Sequence, residues 1–418
     1  MKVLVISAAF PPLRAGEADH TLHLCTHLAG PGIDLHLLTT RGYQRPPGLP
    51  FTLWPLMGSW SWTELPRLAR FIREAAPDAV LLIYSGWIYN DHPMITFVAT
   101  ITRRLLPKAC FVTQMEIGAG SSWRGLGARI VRKAVGRMVG TRDADYSFGT
   151  LLRDSHRLIV LSELHLARFS GRLPAVQARI AVIPPPSLIK MCPGGPRARA
   201  RGRAGLGAVD DEFLLAFFGY TDRSKGIEAL FEAVQIVSRR SAHVRLVMVG
   251  GGRGTAVGGF GPDEERVRHD EEIQAMPMQL GIHDKVTWTP GFGSDSDEGS
   301  MYLQAADAAV LPFVGGVTLN RSSFAAAAAH GLPIVTTRGP DLESPFRDRD
   351  NVLLCPPNDP ESLAAAIQSL MDDAALRERL RHGALALARE WFSWERAVGR
   401  TLEALQCGTG PAPAASDA

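Results

Sequence analysis

At 418 residues the chain is long for one hydrophobic core, so two domains are expected. With 46% hydrophobic and 21% charged residues it has the makeup of an ordinary globular protein, and a net charge of +3 gives no ground for a nucleic-acid partner. No stretch reaches the roughly 18 consecutive apolar residues that a membrane span needs.

The chain opens MKVLVISAAFPP, one lysine and a short apolar run that breaks at Pro11-Pro12. No cleavage pattern follows, so the run predicts a first buried strand over 3–7 rather than a leader. The turn after it contains Gly16, and the next segment carries Leu22, Cys25, Leu28 and Ala29 on one helical face. A small residue there lets the backbone approach a ligand, and a helix start attracts phosphate. The spacing is not GxGxxG, so a plain strand–helix turn stays open as the alternative. Further apolar runs predict strands at 33–40, 79–84, 110–115, 158–162 and 180–184.

Three features between these strands carry two readings each. The WSW of 60–62, with Trp54, is an acceptor-side aromatic patch or simple packing. His92 in YNDHP is a cleft-side catalytic group or a structural histidine. The stretch ARIVRKAVGRMV at 128–139 places Arg129, Arg132, Lys133 and Arg137 toward one helical side, which is a solvated face or one that makes peripheral contact with an anionic membrane.

Residues 184–211 are rich in Pro, Gly and Arg without sustained periodicity and read as a linker. Strands resume at 213–220, 244–250, 285–291, 308–313, 332–337 and 351–355. Residues 250–271 read as a mobile loop leading into a helix. Continuous Val/Ile/Leu runs separated by helices predict parallel sheets covered on both faces. The expected domains are 1–185, a linker at 186–211, a second unit at 212–390, a terminal helix at 391–407 packing back on the first domain, and a disordered tail at 408–418.

The five cysteines, Cys25, Cys110, Cys192, Cys355 and Cys407, are scattered without a CxxC pair, which predicts reduced thiols in a cytoplasmic protein. The twelve histidines show no ligand spacing, so no metal site is expected.

Two segments of the second half look made for a diphosphate. In FFGYTDRSKGIEALFEAV, Gly219 ends a strand and Lys225-Gly226 opens a helix, with Arg223 as a second cation. In PFVGGVTLNRSSFAAAAAHG, Gly315, Gly316 and Thr318 precede a helix that Asn320, Ser322 or Ser323 could cap, and Arg321 stands at its positive end. Amides, a hydroxyl and a guanidinium together hold a phosphate without metal; a capped core helix is the plainer alternative.

These segments resemble the retaining GT-B glycosyltransferases of the family-four type. The resemblance rests on FPP, Gly16, Gly219, Lys225-Gly226, the segment around Asp307, AHGLPIVTT, NVLLCPPNDPESLAAAI and FSWERAV, in order over residues 1–406. It implies the GT-B fold, two doubly wound Rossmann-like domains facing across a cleft. It further implies a nucleotide diphosphate sugar as donor, a small-molecule or glycan acceptor, transfer with retention, and no cofactor or metal.

Departures are as specific as matches. Tyr220 stands where the family has Arg. The acids of its E-x7-E motif fall on Ala326 and on Thr318 or Gly315, and its His falls on Met115, beside a retained Glu116. A subgroup replaces those acids with a loop of the G-V-S-x-R-R-x-S kind, which GGVTLNRSS resembles. The expected site is therefore Lys225, Arg223, Glu116 and His92 for catalysis, with Gly16, Gly219, Tyr220, Gly250, Gly291, Gly315, Gly316, Thr318, Arg321, Ser323 and Glu343 around the donor. Glu343 and Asp341 are the nearest carboxylates that could replace the missing grip on the ribose. The expected activity is sugar transfer. A pseudoglycosyltransferase or nucleotide-sugar epimerase, or a catalytically silent partner protein on the same fold, are the alternatives.

Overall fold

The computed structural model describes residues 1–43, 47–116, 148–170, 179–250, 264–293 and 295–407. The basic stretch at 128–139 and most of the loop at 250–271 lie outside them. The chain divides into two compact units, Met1–Ile183 with Ala397–Ala418, and Pro184–Arg396.

Unit 1 is built on a seven-stranded sheet in the order β3-β2-β1-β4-β5-β6-β7. The strands are β1 (Lys2–Ile6), β2 (Asp34–Thr40), β3 (Thr52–Met57), β4 (Ala79–Tyr84), β5 (Cys110–Met115), β6 (Arg157–Val160) and β7 (Ile180–Val182). Every pairing is parallel. All residues of β4 and β5 are buried, which is what lets AVLLIY and CFVTQM be apolar throughout instead of alternating. β3 is an addition to the predicted strands. Its sequence, TLWPLM, carries Pro55 and an exposed Trp54, and a proline inside a run is tolerated on the edge that β3 occupies.

Unit 2 has a six-stranded parallel sheet in the order β10-β9-β8-β11-β12-β13. Its strands are β8 (Phe213–Phe218), β9 (Val244–Val249), β10 (Val286–Trp288), β11 (Ala308–Leu311), β12 (Ile334–Thr337) and β13 (Leu353–Cys355). The strand order reverses between β8 and β11, as it does between β1 and β4 in unit 1. At such a switch point the two outgoing loops diverge and leave room for a ligand at the carboxyl ends of the strands.

The linker expected at 186–211 is corrected. Pro196–Gly205 is a helix that packs on the helix Glu298–Ala305, so closely that a Cβ on Gly202 would lie 2.5 Å from the Met301 carbonyl oxygen. Its sequence hides it because arginines hold it in place of an apolar stripe. Arg199 donates to Asp307 at 2.6 Å, and Arg203 reaches Asp307 at 3.3 Å and the carbonyls of Val209 and Glu212 at 2.6 and 2.8 Å.

The expectation of reduced cysteines is also corrected. Cys110 and Cys407 form a disulfide across 297 residues, joining β5 to the end of the helix Trp394–Leu405; Cys25, Cys192 and Cys355 are free. A pairing at that separation leaves no spacing to read. Donor atoms of Cys110, Cys407 and His156 lie within 4.8 Å of one another, a grouping that the histidine spacing also concealed. With the two sulfurs bonded to each other, neither is a thiolate ligand.

In unit 1 His20 is buried on the helix Gly16–Leu28, its Nε2 2.6 Å from the Gln114 amide nitrogen. Burial pushes its pKa down to about 4. A folded-state pKa below the unfolded value means that the unfolded chain binds the extra proton. The stability from a neutral His20 is complete above about pH 6.5 and is lost as pH falls toward about 4. The melting temperature of unit 1 should therefore drop across that window, and His20→Asn should flatten the drop. An unchanged slope in the variant would place the acid sensitivity elsewhere.

Candidate donor site

In unit 2 the loops leaving β8 and β11 meet at the switch point. β8 runs into Gly219, whose φ of +139° only glycine adopts freely and where a Cβ would sit 3.8 Å from the Cβ of Ser323. Tyr220 follows, exposed, and then a short 3-10 turn Arg223–Lys225 held by Asp222, which accepts from the Ser224 backbone N–H at 2.9 Å. Gly226 caps the turn at φ +66° and begins the helix Ile227–Ser238, whose N-terminus has no side-chain cap.

Gly226 is fixed by two demands. Its backbone is left-handed, and a Cβ there would stand 2.1 Å from the Pro312 carbonyl oxygen. Gly226→Ala should cost at least about 1–2 kcal/mol from the backbone alone. A clear fall in melting temperature with loosened diphosphate binding is expected, and an unchanged variant would mean that the two loops are not in contact.

The β11 loop is tied to the first one directly. The Val314 N–H donates to the Ser224 carbonyl at 3.0 Å. Gly316, at φ +86°, lies so close to Gly339 that a Cβ would be 2.2 Å from its nitrogen. Glu343 is buried, and its carboxylate accepts the N–H of Leu319. Asp341 is exposed. Glu343 therefore holds the loop from beneath, next to Thr318, where the resemblance loses an acid. Thr318 bonds the Asn320 side chain, and the Arg321 N–H closes a turn onto the Thr318 carbonyl at 3.2 Å.

The cap expected from Asn320, Ser322 or Ser323 is not made. Arg321 occupies the N-cap position of the helix Ser322–Ala329, without a side-chain cap, and Ser323 is buried. Two uncapped helix starts thus border one switch point, each with backbone N–H groups that lack an intrahelical acceptor. The cations converge on one ring. Lys225 Nζ lies 5.3 Å and the Arg321 guanidinium carbon 4.6 Å from the centre of Phe313, with Lys225 Nζ 3.9 Å from Asp222 Oδ2. Phe313 was not among the expected site residues, since an apolar residue at a strand end reads as core. Two positive side chains at one aromatic ring, beside two uncapped helix starts, are a candidate anion cradle. Gly250 completes the rim of β9, its N–H donating to Thr289 Oγ1 at 3.1 Å; Gly291 follows β10.

The residues expected from unit 1 have other surroundings. Gly16 starts its helix with nothing within 4 Å of an added Cβ, so the space around it is open. Glu17, beside it, accepts from the Trp87 indole and from Ser85 Oγ and shares a hydrogen bond with Glu116; burial pushes its pKa up. His92 accepts the Met94 N–H at 3.2 Å, caps a 3-10 turn and lies edge-on to Trp62, and burial pushes its pKa down. Of the WSW stretch, Trp60 is buried against Tyr89, while Trp62 is exposed.

Residues 212–373 match the family described as glycosyl transferases group 1. D-inositol 3-phosphate glycosyltransferase of Salinispora tropica is 29% identical over 265 residues, 60% of this chain and 51% of the relative. The enzyme of that name from Thermomonospora curvata is 30% identical over 214 residues, 50% of this chain and 45% of the relative. The chain spans about half the length of the curated relatives it matches. Among solved structures, sucrose-phosphate synthase of Thermosynechococcus elongatus aligns with a TM-score of 0.67 at 18% identity, over 96% of this chain and 98% of that one. Anabaena Alr3699/HepE in complex with UDP and glucose aligns with a TM-score of 0.68 at 14% identity, over 97% and 99%. Among the described residues no helix is long and apolar enough to cross a membrane. Two Rossmann-like units and structural alignment over nearly the whole chain show the GT-B fold, and residues 212–373, within the second unit, are similar to the glycosyl transferases group 1 family.

Proposed function

We propose that the chain transfers a sugar from a nucleotide diphosphate sugar to an acceptor hydroxyl, with retention and without a metal. One observation carries this reading: Lys225 and Arg321 flank Phe313 where two uncapped helix starts meet at the switch point of unit 2. In the transfer the bond between the anomeric carbon and the diphosphate oxygen breaks, and negative charge collects on the diphosphate. Fixed cations and amides stabilise that charge without reorganising. The acceptor oxygen bonds to the anomeric carbon on the face that the diphosphate leaves, and its proton passes to a diphosphate oxygen. Retention rests on the family resemblance. Charge neutralisation is assigned to Lys225, Arg223, Arg321 and the loop amides. Glu343 acts here by fixing the loop of Leu319, so the ribose is held by the backbone and Thr318 in place of a carboxylate.

The relatives named for D-inositol 3-phosphate and the neighbour bound to UDP make UDP and its sugar conjugates the first ligands to try. Isothermal titration with UDP, GDP and ADP, free and sugar-conjugated, should show binding of at least one. A folded sample that binds none of them contradicts the proposal. Product NMR with the bound donor then reads the anomeric configuration, and an inverted product removes the retention claim alone.

A further inference from the structure

The helix Pro196–Gly205 carries arginines at alternate positions, Arg197, Arg199, Arg201 and Arg203. On a helix this spacing gives two i,i+4 pairs on nearly opposite faces. Arg199 and Arg203 form one pair and are fully engaged with Asp307 and backbone carbonyls. Arg197 and Arg201 form the other. They line a cavity of about 530 Å³ together with Lys190, Cys192, Gly194 and Asp297. Both are exposed and neither makes a hydrogen bond among the described residues, though Arg201 acts electrostatically on Asp297; like charges at i,i+4 repel each other.

The rest of the lining points the same way. Lys190 Nζ is 2.8 Å from Asp297 Oδ1, so three cations share the cavity with one carboxylate. The helix start at Gly195 has no side-chain cap, and its first-turn residues Arg197 and Ala198 belong to the wall. The wall is also fixed to the body of unit 2. The Cys192 N–H donates to Ser300 Oγ at 3.1 Å, and Ser300 Oγ is 2.8 Å from His330 Nε2. Half of the arginines on this helix have a structural task, and the other half are exposed at an open, cation-rich surface pocket.

We propose that this cavity binds a small phosphate-bearing anion, as a second anion site apart from the Lys225–Arg321 cradle. Arg197 and Arg201 grip the phosphate oxygens, and Asp297 competes with the ligand for Lys190. Pyrophosphate titrated into the full chain at low ionic strength tests it by calorimetry. The wild type should show two binding events, and Lys225→Ala should weaken one and leave the other. In the Lys225→Ala background, Arg197→Ala with Arg201→Ala should weaken the remaining event by about tenfold or more, with the circular dichroism spectrum unchanged. Asp297→Asn should tighten it. If the remaining event survives the double substitution intact, or if Lys225→Ala abolishes all binding, this site does not exist. The second outcome leaves the donor cradle standing, so the two proposals fail separately.

Discussion

Replacing Asp307 with alanine is expected to lower the melting temperature of unit 2 by about 6–12 °C. Asp307 accepts the Leu214 N–H at 2.8 Å, Arg199 at 2.6 Å and Arg203 at 3.3 Å. The Arg203 side chain is only 8% exposed, so without Asp307 its charge is buried with carbonyl partners but no counter-charge. Removing one partner of a buried ion pair costs roughly 3–5 kcal/mol, and the 22% exposure of the Asp307 side chain puts the expected loss at the low end, about 3 kcal/mol. For a unit of this size each kcal/mol moves the melting temperature by roughly 2–4 °C. Asp307→Asn retains an acceptor for Leu214 and should lose less. The carboxylate stands where β8 and β11 begin, so it joins the helix Pro196–Gly205 to both strands that flank the switch point. Calorimetry reads the result. A shift near zero would show that Arg203 is satisfied by its carbonyls alone.

What was legible in the sequence follows the range of the interactions. β4 and β5 were legible residue by residue, because a strand buried on both faces must be apolar at every position. β3 was not, because Pro55 breaks the pattern that an edge strand does not need. Lys225 and Gly226 could be placed at the β8 exit because the strand, the turn and the helix start are contiguous. Contacts between distant segments left no trace: Phe313 beneath Lys225 and Arg321, Glu343 under Leu319, and Cys110 bonded to Cys407. The arginine-rich helix was hidden for a different reason. Hydrophobic periodicity is the main indicator of a helix, and this one is anchored by guanidinium hydrogen bonds. The missing family acids looked like a loss of grip. In the fold Glu343, which enters from beyond the next strand, holds the loop at Leu319.

Lys225→Ala should weaken nucleotide-diphosphate binding by about 1.5–3 kcal/mol, the worth of a hydrogen bond to a charged group, or roughly ten- to 150-fold in Kd. The Lys225 side chain is 16% exposed and held between the Phe313 ring and Asp222, so its ammonium is positioned before any ligand arrives. Little rotamer freedom remains to be lost on binding, which favours the upper part of the range. The 3.9 Å contact with Asp222 pulls the other way, since part of the charge is already balanced. Lys225→Arg keeps the charge but carries a planar fork in place of a compact ammonium, and it should recover binding only in part. Arg321→Ala should cost a similar amount if both cations meet one diphosphate. The double variant then distinguishes two arrangements. Losses that fall short of additive place both side chains on the same phosphate oxygens, whereas additive losses place them on separate phosphates. A Lys225→Ala protein that binds the diphosphate as tightly as the wild type would move the donor away from this switch point.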